Sequence, residues 1–273
     1  MTLPLPRLLL VTALCALALA GCGGRSHETA PPPPAPKRAA RPAPRPVHVR
    51  PYTGAVPILM YHVLAVPAPG TPFPGLYVSP ADFRAQVGLL ARSGYHAVTL
   101  ERVWAAWHGR ATLPRRPIVL SFDDGYPPDI SVALPVLHAR HWPGMLNLQV
   151  GNLIVRKVRE LLAAGWEVDA HTFTHPDLTH VDPERLWYEV AGSRRSIQRT
   201  YGVPVDFFCY PSGRYDAAVL ADVRRAGYDG ATTTALGLAS PTSDPYTLDR
   251  VRVPGGESAA SLLAELRALE GRA

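Results

Sequence analysis

Cysteine is scarce in this chain: its 273 residues hold three, Cys15, Cys22 and Cys209. The first two fall in a stretch that reads as a targeting signal, so no disulfide framework can form in the body of the chain. Charge is sparse as well, at 18% of residues, and the formal excess of +6 is unevenly placed. Seven of the 28 Lys and Arg and one of the 22 Asp and Glu precede residue 51, leaving 21 of each sign behind it. A nucleic-acid-binding domain keeps a basic face in its folded part, so that class is excluded and no nucleic-acid partner is expected. Long apolar runs are missing too, because the stretch Leu8–Ala20 is too short to span a bilayer comfortably. What the chain does hold is 47% apolar residues, enough for one large domain or two small ones, and 30 prolines, ten of them between Pro31 and Pro57.

Arg7 precedes the apolar stretch, which ends in Leu19-Ala20-Gly21-Cys22. That tetrapeptide resembles the bacterial lipobox, in which the cysteine becomes the lipidated first residue. The alternative is an ordinary cleaved signal peptide that contains a cysteine. Residues 23–56 are rich in Pro, Ala and Arg with almost no large apolar side chains, which predicts an extended tether. At ~3.1 Å per residue in polyproline II it reaches on the order of 100 Å. The expected organisation is a lipoprotein signal peptide over 1–22, the tether over 23–56 and a folded domain over 57–273. A cell-membrane lipoprotein on the extracytoplasmic side, monomeric and held through a lipid on Cys22, is the matching expectation.

From residue 57 onward short apolar runs alternate with amphipathic stretches. Strands are expected at Pro57–Tyr61, His96–Leu100, Pro117–Phe122, Met145–Val150, Trp166–Ala170, Val205–Tyr210 and Tyr228–Thr233. Helices are expected after Ser79-Pro80, where serine caps and proline takes the first turn, and over Thr99–Trp107, Asp129–Arg140, Ile154–Ala164, Asp182–Tyr201, Asp216–Ala226 and Ser258–Leu269. Such alternation implies an α/β fold with parallel strands, either a doubly wound sheet or a closed barrel. In both, function collects at the carboxyl ends of the strands.

Two polar clusters fall at such ends. Ser121-Phe122-Asp123-Asp124-Gly125 follows the apolar run Ile118-Val119-Leu120, placing adjacent carboxylates where a buried strand emerges. A cation would relieve their repulsion, although Asp-Gly is also a plain turn sequence. His171-Thr172-Phe173-Thr174-His175-Pro176 follows the Trp166–Ala170 strand in the same way, and its threonines and proline disfavour a regular helix. Two imidazoles and one carboxylate make a three-ligand set that leaves a position open for water, as catalytic zinc requires.

These two motifs, followed by Phe207-Phe208-Cys209-Tyr210-Pro211-Ser212-Gly213, resemble the ordered motif set of the NodB-homology polysaccharide deacetylases, carbohydrate esterase family 4. The similarity spans roughly residues 57–255. The resemblance implies a distorted (β/α)7-type barrel. It also implies Asp124, His171 and His175 as ligands of a divalent metal, usually zinc, with cobalt, nickel or manganese also accepted by such a set. Asp123 becomes the general base, and the segment Tyr210, Pro211 and Ser212 supplies substrate and oxyanion contacts.

Many members carry the proton donor on a late histidine, yet no histidine follows His180 here. Leu59-Met60-Tyr61-His62 resembles instead the permuted branch that includes the poly-N-acetylglucosamine deacetylases, which makes His62 the acid. An arginine that orients the base in many members is replaced by Cys209, expected to be buried filler. Arg250 is then either the partner of Asp123 or part of a surface salt bridge. The implied activity is removal of N-acetyl groups from a polysaccharide containing N-acetylglucosamine. The alternatives are an O-acetyl glycan esterase on the same site and a non-catalytic glycan-binding lipoprotein.

Overall fold

The computed structural model describes residues 49–152 and 155–272. Cys22 and the tether as far as residue 48 lie outside the described residues. Eight strands occur among them: β1 (Ile58–Tyr61), β2 (His96–Ala97), β3 (Pro117–Asp124), β4 (Met145–Leu148), β5 (Glu167–Ala170), β6 (Phe207–Cys209), β7 (Gly230–Leu236) and β8 (Leu248–Arg252). All pair in parallel. β1 lies between β3 (Ile58 opposite Val119) and β8 (Leu59 opposite Val251), which closes seven strands into a barrel in the order β1-β3-β4-β5-β6-β7-β8.

Seven expected strands and seven barrel strands are not the same seven. β2 pairs only with the first residues of β3 and stays outside the ring. It is two residues long because Thr99 already caps the next helix, accepting the Arg102 N–H at 3.2 Å. The strand that completes the ring, β8, was not among the expected ones. Its sequence Leu-Asp-Arg-Val-Arg offers no clean apolar pattern, because one of its inward positions is the fully buried Arg250.

The helices are α1 (Pro80–Arg92), α2 (Leu100–Trp107), α3 (Leu134–His138), α4 (Val155–Ala163), α5 (Pro183–Trp187), α6 (Ser193–Tyr201), α7 (Ala217–Arg225) and α8 (Ala259–Glu270). Their starts follow the capping residues: Ser79, Asp182, Asp216 and Ser258 each accept the N–H three residues on. α5 and α6 are joined by a π-turn, Tyr188–Gly192, inside what the sequence reads as one helix.

Strand alternation divides the interior. Leu59, Leu120, Leu146, Val168, Phe208 and Val251 pack outward with the helices. Ile58, Val119, Met145, Phe207 and Leu248 form a second cluster with Leu100, Val103 and Trp107 of α2. Farther along the same strands, at the same parity, come Ser121, Asp123, Asn147, Cys209 and Arg250, all buried. The barrel interior therefore changes from apolar to polar toward the strands' carboxyl ends.

Composition assigns residues 49–56 to the tether, but they belong to the fold. Val49 and Tyr52 donate to Gly109 and Ala106 at 3.1 and 3.0 Å, and Val56 pairs with Ala239 in both directions at 2.7 and 3.1 Å. Backbone bonds hold this segment, Val56 is fully buried in the second cluster and Tyr52 packs against it, so the Pro, Ala and Arg content of the preceding stretch misleads at its last eight residues.

Candidate active site

Asp123 and Asp124 are the last residues of β3, so alternation sends them different ways. Asp123 points into the barrel and is 2% exposed. Arg250 on β8 forks onto it with two bonds, Nη1 to Oδ1 at 2.8 Å and Nη2 to Oδ2 at 2.9 Å. Asn147, its register partner on β4, donates to Oδ1 at 2.7 Å. Arg250 is itself anchored by the Thr233 carbonyl at 2.7 Å and the Ser121 hydroxyl at 3.1 Å. A surface salt bridge is thereby excluded for Arg250. Burial raises the Asp123 pKa, but the guanidinium outweighs it and holds the carboxyl far below the usual range. Cys209 Sγ lies 3.2 Å from Arg250 and 3.7 Å from Asp123, so it walls the ion pair rather than merely filling space.

Asp124 turns toward the groove with φ 77°, a conformation that bulky residues avoid. Its Oδ1 lies 3.4 Å from His171 Nε2 and 3.8 Å from His175 Nε2. His171 follows β5 and is buried, and its Nδ1 sits 2.8 Å from the Cys209 carbonyl. A carbonyl only accepts, so Nδ1 donates to it and Nε2 is the nitrogen that faces the groove. His175 is 33% exposed, its ring centroid 4.8 Å from that of His171. Thr172 and His175 both have positive φ, at 64° and 56°, and a bond of 3.0 Å from His175 N–H to Thr172 Oγ1 closes the tight turn. Strained backbone at Asp124, Thr172, His175 and Ser212 (φ 54°) is thus gathered at one end of the barrel.

The donor atoms of Asp124, His171 and His175 all lie within 4.8 Å of one another, and this mixed imidazole and carboxylate set suits a divalent cation. Asp123, His171 and Cys209 are equally close, but the Arg250 guanidinium already supplies Asp123 with its positive partner.

His62, directly after β1, faces Asp123 with Nε2 3.8 Å from Oδ2. Burial lowers its pKa more than the two aspartates raise it, so the ring is neutral at neutral pH. His62, Asp123, Asp124, His171, His175, Tyr210, Ser212 and Arg250 line a single groove of about 470 Å³. Tyr210 is fully buried, with its hydroxyl donating to the Tyr246 carbonyl at 3.0 Å, so its ring is not free to stack on a sugar; Trp142 is likewise buried. Pro211 is buried and Ser212 is exposed to the groove. Tyr126 also lines it, with a hydroxyl pKa pushed up to about 12 by burial and the nearby Asp124.

A family model described as polysaccharide deacetylase matches residues 110–231, the stretch that carries both aspartates, both histidines and the Cys209 strand. The chain carries a polysaccharide deacetylase domain of the NodB type. Such a domain is a hydrolase acting on carbon–nitrogen bonds. It is 27% identical over 221 residues to YxkH of Bacillus subtilis, covering 79% of this chain and 77% of that one. The Streptococcus pyogenes deacetylase PplD, solved in complex with acetate, superposes with a TM-score of 0.72 at 26% identity, covering 78% of this chain and 99% of that one. A shorter stretch of 68 residues is 34% identical to the poly-beta-1,6-N-acetyl-D-glucosamine N-deacetylase of Escherichia coli, covering 25% of this chain and 10% of that one.

Two members of this NodB-type site escaped the sequence reading. Asn147 was unremarkable within an apolar strand. Glu189 lies in the π-turn, fully buried, and its carboxylate accepts the N–H of Phe173 at 2.7 Å, the N–H of Thr174 at 3.1 Å and the Thr174 hydroxyl at 2.7 Å. Arg185 pairs with it at 2.6 Å. Gly192, from the same turn, lets the Phe173 ring close in, since a Cβ there would stand 3.1 Å from it. Glu189 therefore holds the turn between the two histidines. Its only mark in the sequence is an acid among apolar neighbours in an amphipathic helix.

Proposed function

We propose that this chain is a metal-dependent N-deacetylase of polysaccharide containing N-acetylglucosamine, acting at the cell surface. The observation that carries the reading is the convergence, in one groove, of the open donor set Asp124, His171 and His175 with His62 and the clamped Asp123. A divalent cation, zinc foremost, with cobalt, nickel or manganese as alternatives, would supply Lewis-acid polarisation of the acetamide carbonyl and a water of lowered pKa.

The chain's own residues handle the protons. Asp123 stays ionised under Arg250 and accepts the proton of the attacking water. A carboxylate held so low does not retain that proton, and His62 at 3.8 Å is the group positioned to receive it. His62, neutral at rest, becomes the acid that protonates the departing amine. Arg250 and Asn147 fix the Asp123 oxygens throughout. In the Tyr210-Pro211-Ser212 segment the Tyr210 N–H is given to the Thr232 carbonyl at 3.2 Å and proline has none, so the Ser212 N–H is the donor there for a developing oxyanion. Cys22 provides the lipid anchor on the extracytoplasmic side, and the tether carries the domain toward its polymer.

Acetate release from a panel of purified polymers, with and without chelator, tests the activity. Release from N-acetylglucosamine polymers that stops on chelation and returns with zinc is expected. Release only from O-acetylated glycans, or release indifferent to chelation, refutes the reading. For location, Cys22→Ala should abolish detergent partitioning of the full chain; unchanged partitioning would remove the anchor.

A further inference from the structure

Phe73 stands in the segment between β1 and α1, at the rim of the same groove. A lone exposed apolar side chain needs no explanation, but three features set this one apart. Its ring is 77% exposed while lining the groove that holds the donor set. Its backbone is left-handed, at φ 52° and ψ 55°, which a bulky residue avoids and which is further disfavoured before Pro74. The strained turn is also firmly held. The Phe73 carbonyl accepts from Leu76 at 3.0 Å, the Leu76 carbonyl from Val63 at 3.1 Å, and the Gly75 carbonyl from Gly255 at 2.9 Å. Gly255 packs so closely that a Cβ there would lie 2.5 Å from the Tyr77 carbonyl. Neighbouring structure is thus arranged to keep an aromatic ring out of the core and beside the site.

We propose that Phe73 is the stacking platform for a sugar ring of the polysaccharide, next to the residue whose acetamide occupies the donor set. A pyranose presents C–H groups on its faces and hydroxyls around its edge. The negative face of an aromatic ring attracts the former, while Ser212, Thr234 and Arg252 in the same groove suit the latter. A groove of about 470 Å³ has room for such a ring beside the reacting one. The inference rests on the deacetylase reading for the class of ligand, though not for its test.

The test is binding of N-acetylglucosamine oligomers of two to six units to the full chain, followed by proton NMR and titration. Stacking shifts sugar C–H resonances upfield through the ring current. Phe73→Ala should abolish those shifts and weaken the tetramer by about 3- to 10-fold, with an unchanged melting temperature because the ring is exposed. Phe73→Trp should restore both. Should Phe73→Ala fail to fold, Phe73→Leu keeps the apolar bulk and should still lose the shifts. Shifts or affinity retained without an aromatic ring overturn the proposal. Phe73-dependent shifts in a protein that releases no acetate would sink the deacetylase reading and leave the platform standing. Deacetylation with shifts indifferent to Phe73 would do the opposite.

Discussion

Glu189→Ala should loosen the turn that carries both histidines without touching either of them. The carboxylate accepts two backbone N–H groups and one hydroxyl, at 2.7, 3.1 and 2.7 Å, in a fully buried position. Alanine leaves the N–H groups of Phe173 and Thr174 unsatisfied, at about 1–3 kcal/mol each. That strain falls on a turn already holding two residues at positive φ, so relaxation moves His175 relative to His171. Losing a partner that orients metal ligands typically weakens metal binding by about 10- to 100-fold. Glu189→Gln retains a carbonyl for the two N–H groups and loses mainly the Arg185 ion pair. Since Arg185 is 44% exposed, solvent screens that pair, and the expected loss stays within about threefold. Zinc affinity measured by competition with a chelating indicator reads both variants, and the visible absorption of the cobalt form reports ligand geometry. Zinc bound by Glu189→Ala as tightly as by the parent would refute the reasoning.

Three further variants have expected outcomes. His62→Ala should keep its zinc yet lose roughly 10²–10⁴ in glycan deacetylation, while sparing an activated aryl acetate whose leaving group needs no proton. Asp123→Asn should lose both activities and also melt lower, because breaking a buried ion pair costs about 3–5 kcal/mol; equal loss on both substrates in His62→Ala would contradict its role as acid. At the other end of β5, burial pushes the Asp169 carboxyl up to about 7 and raises its neighbour Glu167 as well, so the folded protein holds a proton the unfolded chain releases. That stability is complete below the unfolded carboxylate range and is lost as pH rises through about 7. Asp169→Asn keeps the Oδ1 bonds to the N–H groups of Asp206 and Phe207 and should flatten the melting temperature over that window; an unaltered slope would place the proton elsewhere.

How much of this was legible in the sequence follows from which forces are local. Caps, prolines and apolar periodicity act within a few residues, so helix starts such as Ser79, Asp182 and Ser258 are readable directly. The Asp-Asp and His-x-x-x-His motifs are equally local, and their strand-end placement follows from the apolar runs before them. Ring membership is not local. β2 and β8 exchange places between expectation and structure because closure depends on which strand pairs with β1, and Arg250 hides β8 by putting a charge where an apolar residue is expected. That charge is tolerated inside only because Asp123, 127 positions away in sequence, meets it there.

Local residue order is enough to set the alternation of strands and helices, the polar strand ends and a chemistry of carboxylates and imidazoles. Which carboxylate is clamped and which stays open is assigned from sequence only through the family resemblance, and its physical cause lies in the closed barrel. Asp123 and Asp124 are chemically identical neighbours, and the pleat of β3 turns one to Arg250 in the barrel and the other toward His171 and His175. The same closure brings Glu189 beneath the histidine turn and Phe73 to the groove's rim, because contacts between distant segments exist only once the ring has formed.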